Sequence, residues 1–205
     1  MKCWDGNYSG TYNAGGKLLL CVQGWLVIQR RATGQVDFNK TWTEYKQGFG
    51  STSNEFWLGL EAIHRVTKTK PCRIRFNLTD YASKFVQATY NDFRIGPETD
   101  NYRLNISGYV TSSTAPDAMF YTNRIVLYPN GHHNGMQFST YDNDNDIGGA
   151  NCASSRGGGW WYGQCDWTNL NALWGNMWPY IKWYAGGPVS NKKAFKAVSM
   201  EVRCG

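Results

Sequence analysis

The chain has 205 residues, 41% hydrophobic and 18% charged, a composition that fits one folded core and excludes the low-hydropathy, high-charge balance of disordered segments. The formal net charge of +6 comes from scattered lysines and arginines ("IQRR", "KTKPCRIR", "NKKAFKA") that read as solvated surface and do not indicate nucleic acid. No stretch approaches the roughly 20 apolar residues of a membrane span, and no charged-then-apolar leader precedes Cys3, so a soluble chain is expected.

Ten Trp, thirteen Tyr and 23 Gly favour strands and tight turns around ring-rich packing over long helices. Taken in order, "LLLCVQGWLVIQRR" (18 to 31) alternates with period two and reads as a strand. Apolar residues then recur every three or four positions in "TWTEYKQGF" (41 to 49) and "FWLGLEAIHRVT" (56 to 67), predicting two short helices capped by Thr41 and Asn54. Strand alternation returns in "CRIRFNL" (72 to 78), "YRLNISGYV" (102 to 110) and "AVSMEVRC" (197 to 204). Between about Gly131 and Ser190 the composition turns to Gly, Asn, Asp and Trp with little periodicity. A loop-rich segment of that length needs disulfides or a metal to hold it.

Six cysteines without a C-x-x-C or Cys/His cluster fit disulfides in an oxidising compartment better than zinc. Four N-x-S/T triplets, at Asn7, Asn39, Asn77 and Asn105, agree with export. The three histidines, His64, His132 and His133, stand in no nucleophile or zinc-protease motif, and the adjacent pair reads as surface. Nothing points to an enzyme.

At the centre of the loop-rich segment lies "YDNDNDIGGANCA" (141 to 153), with carboxylates at Asp142, Asp144 and Asp146. As an EF-hand it fails, because the sixth loop position is Ile147 and the twelfth Ala153. Alternate carboxylates in an extended loop can still face one side and bind Ca²⁺, or they can be solvated Asx turns.

The ordered motifs "GWLVIQRRATGQVDFNKTWTEYKQGFG" (24 to 50), "EFWLGLEAIHRVT" (55 to 67), "YRLNISGY" (102 to 109), "HNGMQFSTYDNDND" (133 to 146), "NCA" (151 to 153), "GWWYGQC" (159 to 165) and "NLN" (169 to 171) resemble the fibrinogen-like C-terminal domain. Ficolins, tachylectins, angiopoietins, tenascins and fibrinogen chains share it. The resemblance implies an α+β fold in one domain spanning 1–205: a disulfide-linked amino-terminal region (about 1–35), a central twisted, mostly antiparallel sheet with short helices (36–127), a calcium and ligand region (128–195), and a returning carboxyl-terminal strand (196–205). Its calcium ligands fall on the side chains of Asp144 and Asp146 and the carbonyls of Gly148 and Ala150, with Asp142 as outer support. Its disulfides map to Cys3 with Cys21 and Cys152 with Cys165, leaving Cys72 and Cys204 on two predicted strands to pair with each other or remain thiols.

Acetyl-binding lectins of this family use a Cys-His peptide and a Tyr four residues after the preceding cysteine. Here those places hold Cys165-Asp166 and Arg156, and the segment after "NLN" shortens to "ALWGNMWPYIKW" (172 to 183). Arg156 and Asp166 either bind a ligand or pair with each other. Trp178 and Tyr180 are the aromatic pocket candidates, whereas Trp160 and Trp161 read as core. An insertion, "YTNRIVLYPNGHHNG" (121 to 135), precedes the acidic loop. The resemblance implies a secreted, calcium-supported domain that binds microbial or extracellular glycans, or other acidic or acetylated ligands, in innate defence. Its alternative is a receptor-binding or matrix-adhesion domain without lectin activity. Relatives present several such heads on a stalk; no heptad or collagen repeat occurs here.

Overall fold

A computed structural model describes residues 2–4, 6–120, 132–175, 180–184 and 194–205. The amino-terminal strands are β1 (Gly10–Ala14), β2 (Lys17–Val22) and β3 (Trp25–Arg31). The stretch expected as one strand over 18 to 31 is therefore a hairpin. Its turn residues Gln23 (φ 51°) and Gly24 (φ 76°) are both left-handed, the conformation that matches strand twist in a two-residue turn. A Cβ at Gly24 would stand 2.4 Å from the Gly6 carbonyl, so only glycine fits.

Helix α1 (Trp42–Gln47) forms where expected, because Thr41 and Glu44 make a reciprocal capping box. The second helix starts later than its apolar spacing suggested. Phe56 and Trp57 form β5 (Phe56–Trp57), paired to β4 (Phe49–Gly50) on one side and to Gln29 and Arg30 of β3 on the other. Helix α2 (Leu60–Thr67) follows with Gly59 as its N-cap, while Asn54 donates its side-chain amide to Gln35 and caps nothing. Both rings of β5 are buried, and their strand pairing overrides the helical spacing.

Three long strands complete the sheet: β6 (Cys72–Asp80), β7 (Phe85–Ile95) and β11 (Phe195–Cys204), with β8 (Leu104–Tyr109) at the edge. Every pairing is antiparallel in the order β1-β2-β3-β11-β6-β7-β8, so the last strand of the chain lies in the middle. Strand β7, the longest, has no counterpart in the sequence reading. Asn91 and Asp92 are both exposed in succession, and that break in phase hides the period of two. The register sets Cys72 opposite Cys204, and these two are disulfide-bonded. Cys3–Cys21 and Cys152–Cys165 are the other bridges, leaving no free thiol.

Ile74, Phe76 and Leu78 of β6 and Val198, Met200 and Val202 of β11 point into one apolar core. Beyond them Tyr45, Trp57, Phe138 and Trp161 meet as a ring cluster, with Phe138 5.1 Å from both Tyr45 and Trp161. Burying a side chain such as Phe138 contributes roughly 1.5–3 kcal/mol. The cluster joins helix α1 to the loop-rich region and so fixes the floor beneath the acidic loop.

Candidate functional site

The acidic loop begins where Thr140 and Asn143 exchange backbone bonds. Asn145 then locks its interior, donating Nδ2 to the Phe138 carbonyl at 2.9 Å and its own N–H to Ser139 Oγ at 2.9 Å. Asp142 faces away from the other carboxylates: its Oδ1 accepts the Trp42 N–H at 2.9 Å and the Thr140 hydroxyl at 2.7 Å. These bonds anchor the loop to α1.

Asp144 and Asp146 stay together. Asp144 Oδ1 accepts the Asp146 N–H at 3.2 Å, and Asp146 accepts the N–H of Gly148 at 2.7 Å and of Cys152 at 2.8 Å. Burial pushes the Asp146 carboxyl up, the two backbone donors pull it back, and the Asp144 carboxylate pushes it up again. A cation beside both carboxylates would relieve that repulsion. Gly148 supplies the room: a Cβ there would sit 2.9 Å from Asp146 Oδ1 and 3.4 Å from the Ala150 carbonyl oxygen. Two carboxylates and adjacent carbonyls are a donor set suited to a hard cation such as Ca²⁺, with water completing the shell. No group of three or more His, Cys, Asp or Glu able to hold a metal occurs among the described residues.

Helix α3 (Cys152–Arg156) leaves this loop, capped by Asn151 Oδ1 on the Ser154 N–H at 2.8 Å and stopped by the left-handed Gly157. The Cys152–Cys165 bridge ties its first turn to Cys165, itself at φ 61°, and Asp166 follows. The Arg156 Nε donates to Asp166 Oδ1 at 3.0 Å, so these two pair with each other. Lys182 joins them: its Nζ lies 2.9 Å from the same oxygen. Lys182 is delivered by the short ladder of β9 (Thr168–Asn169) and β10 (Lys182–Trp183), a contact with no trace in local sequence pattern. The Asp166 side chain is 0% exposed, that of Arg156 21% and that of Lys182 12%, and the Asp166 Oδ2 has no hydrogen-bond partner among the described residues. One carboxylate thus stands between two cations. Tyr180 is half-buried close in sequence, its phenol pushed up by burial. Trp178 lies outside the described residues, as does most of the insertion.

Trp160 and Trp161 are fully buried, as core residues should be. His133 corrects the surface reading. It is 0% exposed, with Nδ1 on the Trp161 carbonyl at 2.9 Å and Nε2 accepting the Thr168 N–H at 3.2 Å. Burial, partly offset by the Trp161 bond, pushes its pKa down to about 4, so the ring is a neutral strut with its proton on Nδ1. The "NLN" segment docks by a second such device: Gln29 donates to the Leu170 carbonyl and Asn171 Oδ1, and Arg31 donates to the Ala172 carbonyl at 2.9 Å.

The profile of the family described as "Fibrinogen beta and gamma chains, C-terminal globular domain" matches residues 2–204. The fibrinogen gamma chain of Rattus norvegicus is 39% identical over 184 residues, covering 82% of this chain and 37% of that protein. The Homo sapiens fibrinogen alpha chain is 42% identical over 154 residues, covering 73% of this chain and 17% of its own length. The chain thus spans well under half the length of these relatives. Among solved structures, the fibrinogen-like globe domain of human ANGPTL6 matches with a TM-score of 0.84 at 32% identity, over 98% of this chain and 94% of that one. A lamprey fibrin D-dimer complexed with the peptide ligand Gly-His-Arg-Pro-amide matches with a TM-score of 0.85 at 33% identity, over 96% and 69%.

Proposed function

Because the chain belongs to the fibrinogen C-terminal globular domain family, whose members are ligand-binding or structural domains and not enzymes, we propose that it is a secreted recognition domain for anionic or multiply hydroxylated glycans. Three disulfides support an extracellular setting, and no helix among the described residues is long and apolar enough to cross a membrane. Ca²⁺ held by Asp144, Asp146 and the carbonyls of Gly148 and Ala150 supplies fixed positive charge that stiffens the loop leading into α3.

The observation that carries this reading is the convergence of Arg156 and Lys182 on one oxygen of buried Asp166. The partly exposed Arg156 and Lys182 favour carboxylate or sulfate groups. Tyr180, with Trp178 beside it in sequence, supplies apolar contact. Cys165 sets the backbone that presents Asp166. A neutral acetyl pocket would have no use for this charge.

A peptide or receptor ligand is the second reading, favoured by the likeness to ANGPTL6 and to lamprey fibrin in complex with a peptide. A glycan array with and without EDTA separates the two. Acidic glycans should bind, EDTA should weaken them, and Arg156→Ala should cost about tenfold or more, as expected for a charged hydrogen bond of roughly 1.5–3 kcal/mol. Tight, salt-independent binding of plain N-acetylglucosamine, untouched by Arg156→Ala, would overturn the proposal.

A further inference from the structure

At the end of the sheet marked by the Cys72–Cys204 bridge, a groove of about 420 Å³ runs between the segment after α2 (Thr67 to Cys72) and the strands β7 and β8. Lys68, Lys70 and Arg94 line it, with Asp92 as the one carboxylate, its Oδ2 accepting the Ser107 hydroxyl at 3.1 Å. Beside it, register places Arg73 of β6 directly opposite Arg203 of β11. None of these five cations takes part in any of the seven ion pairs between described residues. The groove lining alone sets three cations against one carboxylate, an excess of two positive charges, while the Arg203 guanidinium extends toward the Gly24 turn.

Ordinary surface chemistry accounts for only part of this. Lys68 is the C-cap of α2 and complements the negative end of that helix. Arg73 and Arg203, however, are like charges directly opposed across a strand pair, an arrangement that destabilises a sheet. Two residues along, Arg75 opposes Glu201 and the two form an ion pair at 2.6 Å. The same ladder therefore has a neutralised rung next to a rung that an external anion would neutralise.

We propose that this groove and the adjacent arginine pair bind an anionic polysaccharide, a chain carrying sulfate or carboxylate groups with free hydroxyls between them. Cations from β11, β6, β7 and the segment after α2 are spread over at least two inter-strand spacings of about 4.8 Å each, which suits repeated charges along a chain. Thr69, Asn105 and Ser107 line the groove as hydrogen-bonding partners for hydroxyls. The one aromatic ring in the lining, Phe93, is 3% exposed, so nucleobases find no stacking platform there. The site is separate from Arg156, Asp166 and Lys182, and it stands or falls independently of them.

The test is surface plasmon resonance with immobilised heparin at physiological ionic strength. Protein freed of N-glycans is used, because Asn105-Ile106-Ser107 is an acceptor triplet on the groove wall. Combined Lys68→Ala, Lys70→Ala and Arg94→Ala should weaken binding tenfold or more and reduce its salt dependence. The pair Lys68→Ala with Lys70→Ala, on an exposed segment outside the strands, should weaken it at least threefold with only the small fall in melting temperature that losing one helix-end charge brings. Lys84→Ala removes an exposed cation at the opposite end of β6 and should change binding less than twofold. Equal loss in Lys84→Ala and the groove variants would reduce the effect to net charge and overturn the proposal. So would absent heparin binding, or duplex DNA of matched length binding as tightly as heparin.

Discussion

The carboxylate of Asp142 accepts the backbone N–H of Trp42 at 2.9 Å, joining the acidic loop to the first turn of α1 across 100 residues of sequence. A carboxylate at a helix N-terminus satisfies a donor that has no partner within the helix and meets the positive end of its dipole. Asp142→Ala should therefore lower stability by about 1–2 kcal/mol and Asp142→Asn by less, measured by urea denaturation. The loss should be the same in EDTA and in calcium. A loss seen only in calcium would make Asp142 a metal ligand.

Calcium itself is tested through Asp144 and Asp146. Ca²⁺ at a hundredfold excess over its dissociation constant should stabilise the protein by about 2.7 kcal/mol. Asp144→Asn with Asp146→Asn should abolish binding in a calorimetric titration. Because Asp146 also accepts from Gly148 and Cys152, its amide would turn a donor toward one of those N–H groups and destabilise the loop without any metal. Asp144→Asn alone is the cleaner variant, and unchanged calcium affinity in it would sink the assignment.

Glu55 carries a third prediction. Its carboxylate is buried and accepts the N–H groups of Ala32, Thr33, Gly34 and Val36 at 2.7 to 2.9 Å, wrapping the segment after β3 around itself. Burial alone would raise its pKa, but the four donors override burial and hold it at about 2. The stabilisation is complete above the unfolded value of about 4.3 and disappears as pH falls toward 2, a loss of about 3 kcal/mol. Glu55→Gln should be less stable at neutral pH and should flatten the stability profile between about pH 4.3 and 2. A parallel profile in the variant would remove Glu55 from the account.

How much of this was legible in the sequence depends on whether the determinant is local. The Thr41 cap is a local signal and appears where the pattern put it, although the sequence reading did not single out Glu44, which completes the capping box. The hairpin turn at Gln23 and Gly24 was passed over because the residues flanking it keep alternating through it. Strand β7 was lost to two consecutive exposed residues, Asn91 and Asp92. Lys182 was illegible for a different reason: it reaches Asp166 only because β10 folds back on β9, and a contact 16 residues away leaves no periodicity. His133 was misread because a Gly/Asn neighbourhood suggests exposure, whereas the acceptor and donor that allow its burial come from Trp161 and Thr168.

His133 makes the final prediction, since it links pH to the integrity of the candidate site. Its ring spans the Trp161 carbonyl and the Thr168 N–H, and Thr168 begins β9, the strand that brings Lys182 to Asp166. Folded, the imidazole is held down at about 4 by burial; unfolded, it titrates near 6.5. Between those values the unfolded chain binds a proton that the folded protein refuses, so stability is full above about pH 6.5 and falls as pH drops to 4. The expected loss is on the order of 3 kcal/mol. Protonation also places a second N–H against the Thr168 donor, which should loosen β9 before the sheet opens. Urea midpoints should therefore fall from pH 6.5 to 4. His133→Gln, which keeps one donor and one acceptor but does not titrate, should start lower at pH 7 and show a shallower slope across that window. The protection factor of the Thr168 amide, corrected for the intrinsic pH dependence of exchange, should fall on acidification in the parent protein and not in the variant. An equal slope in both proteins would assign the acid sensitivity to other groups and leave His133 a packing residue alone.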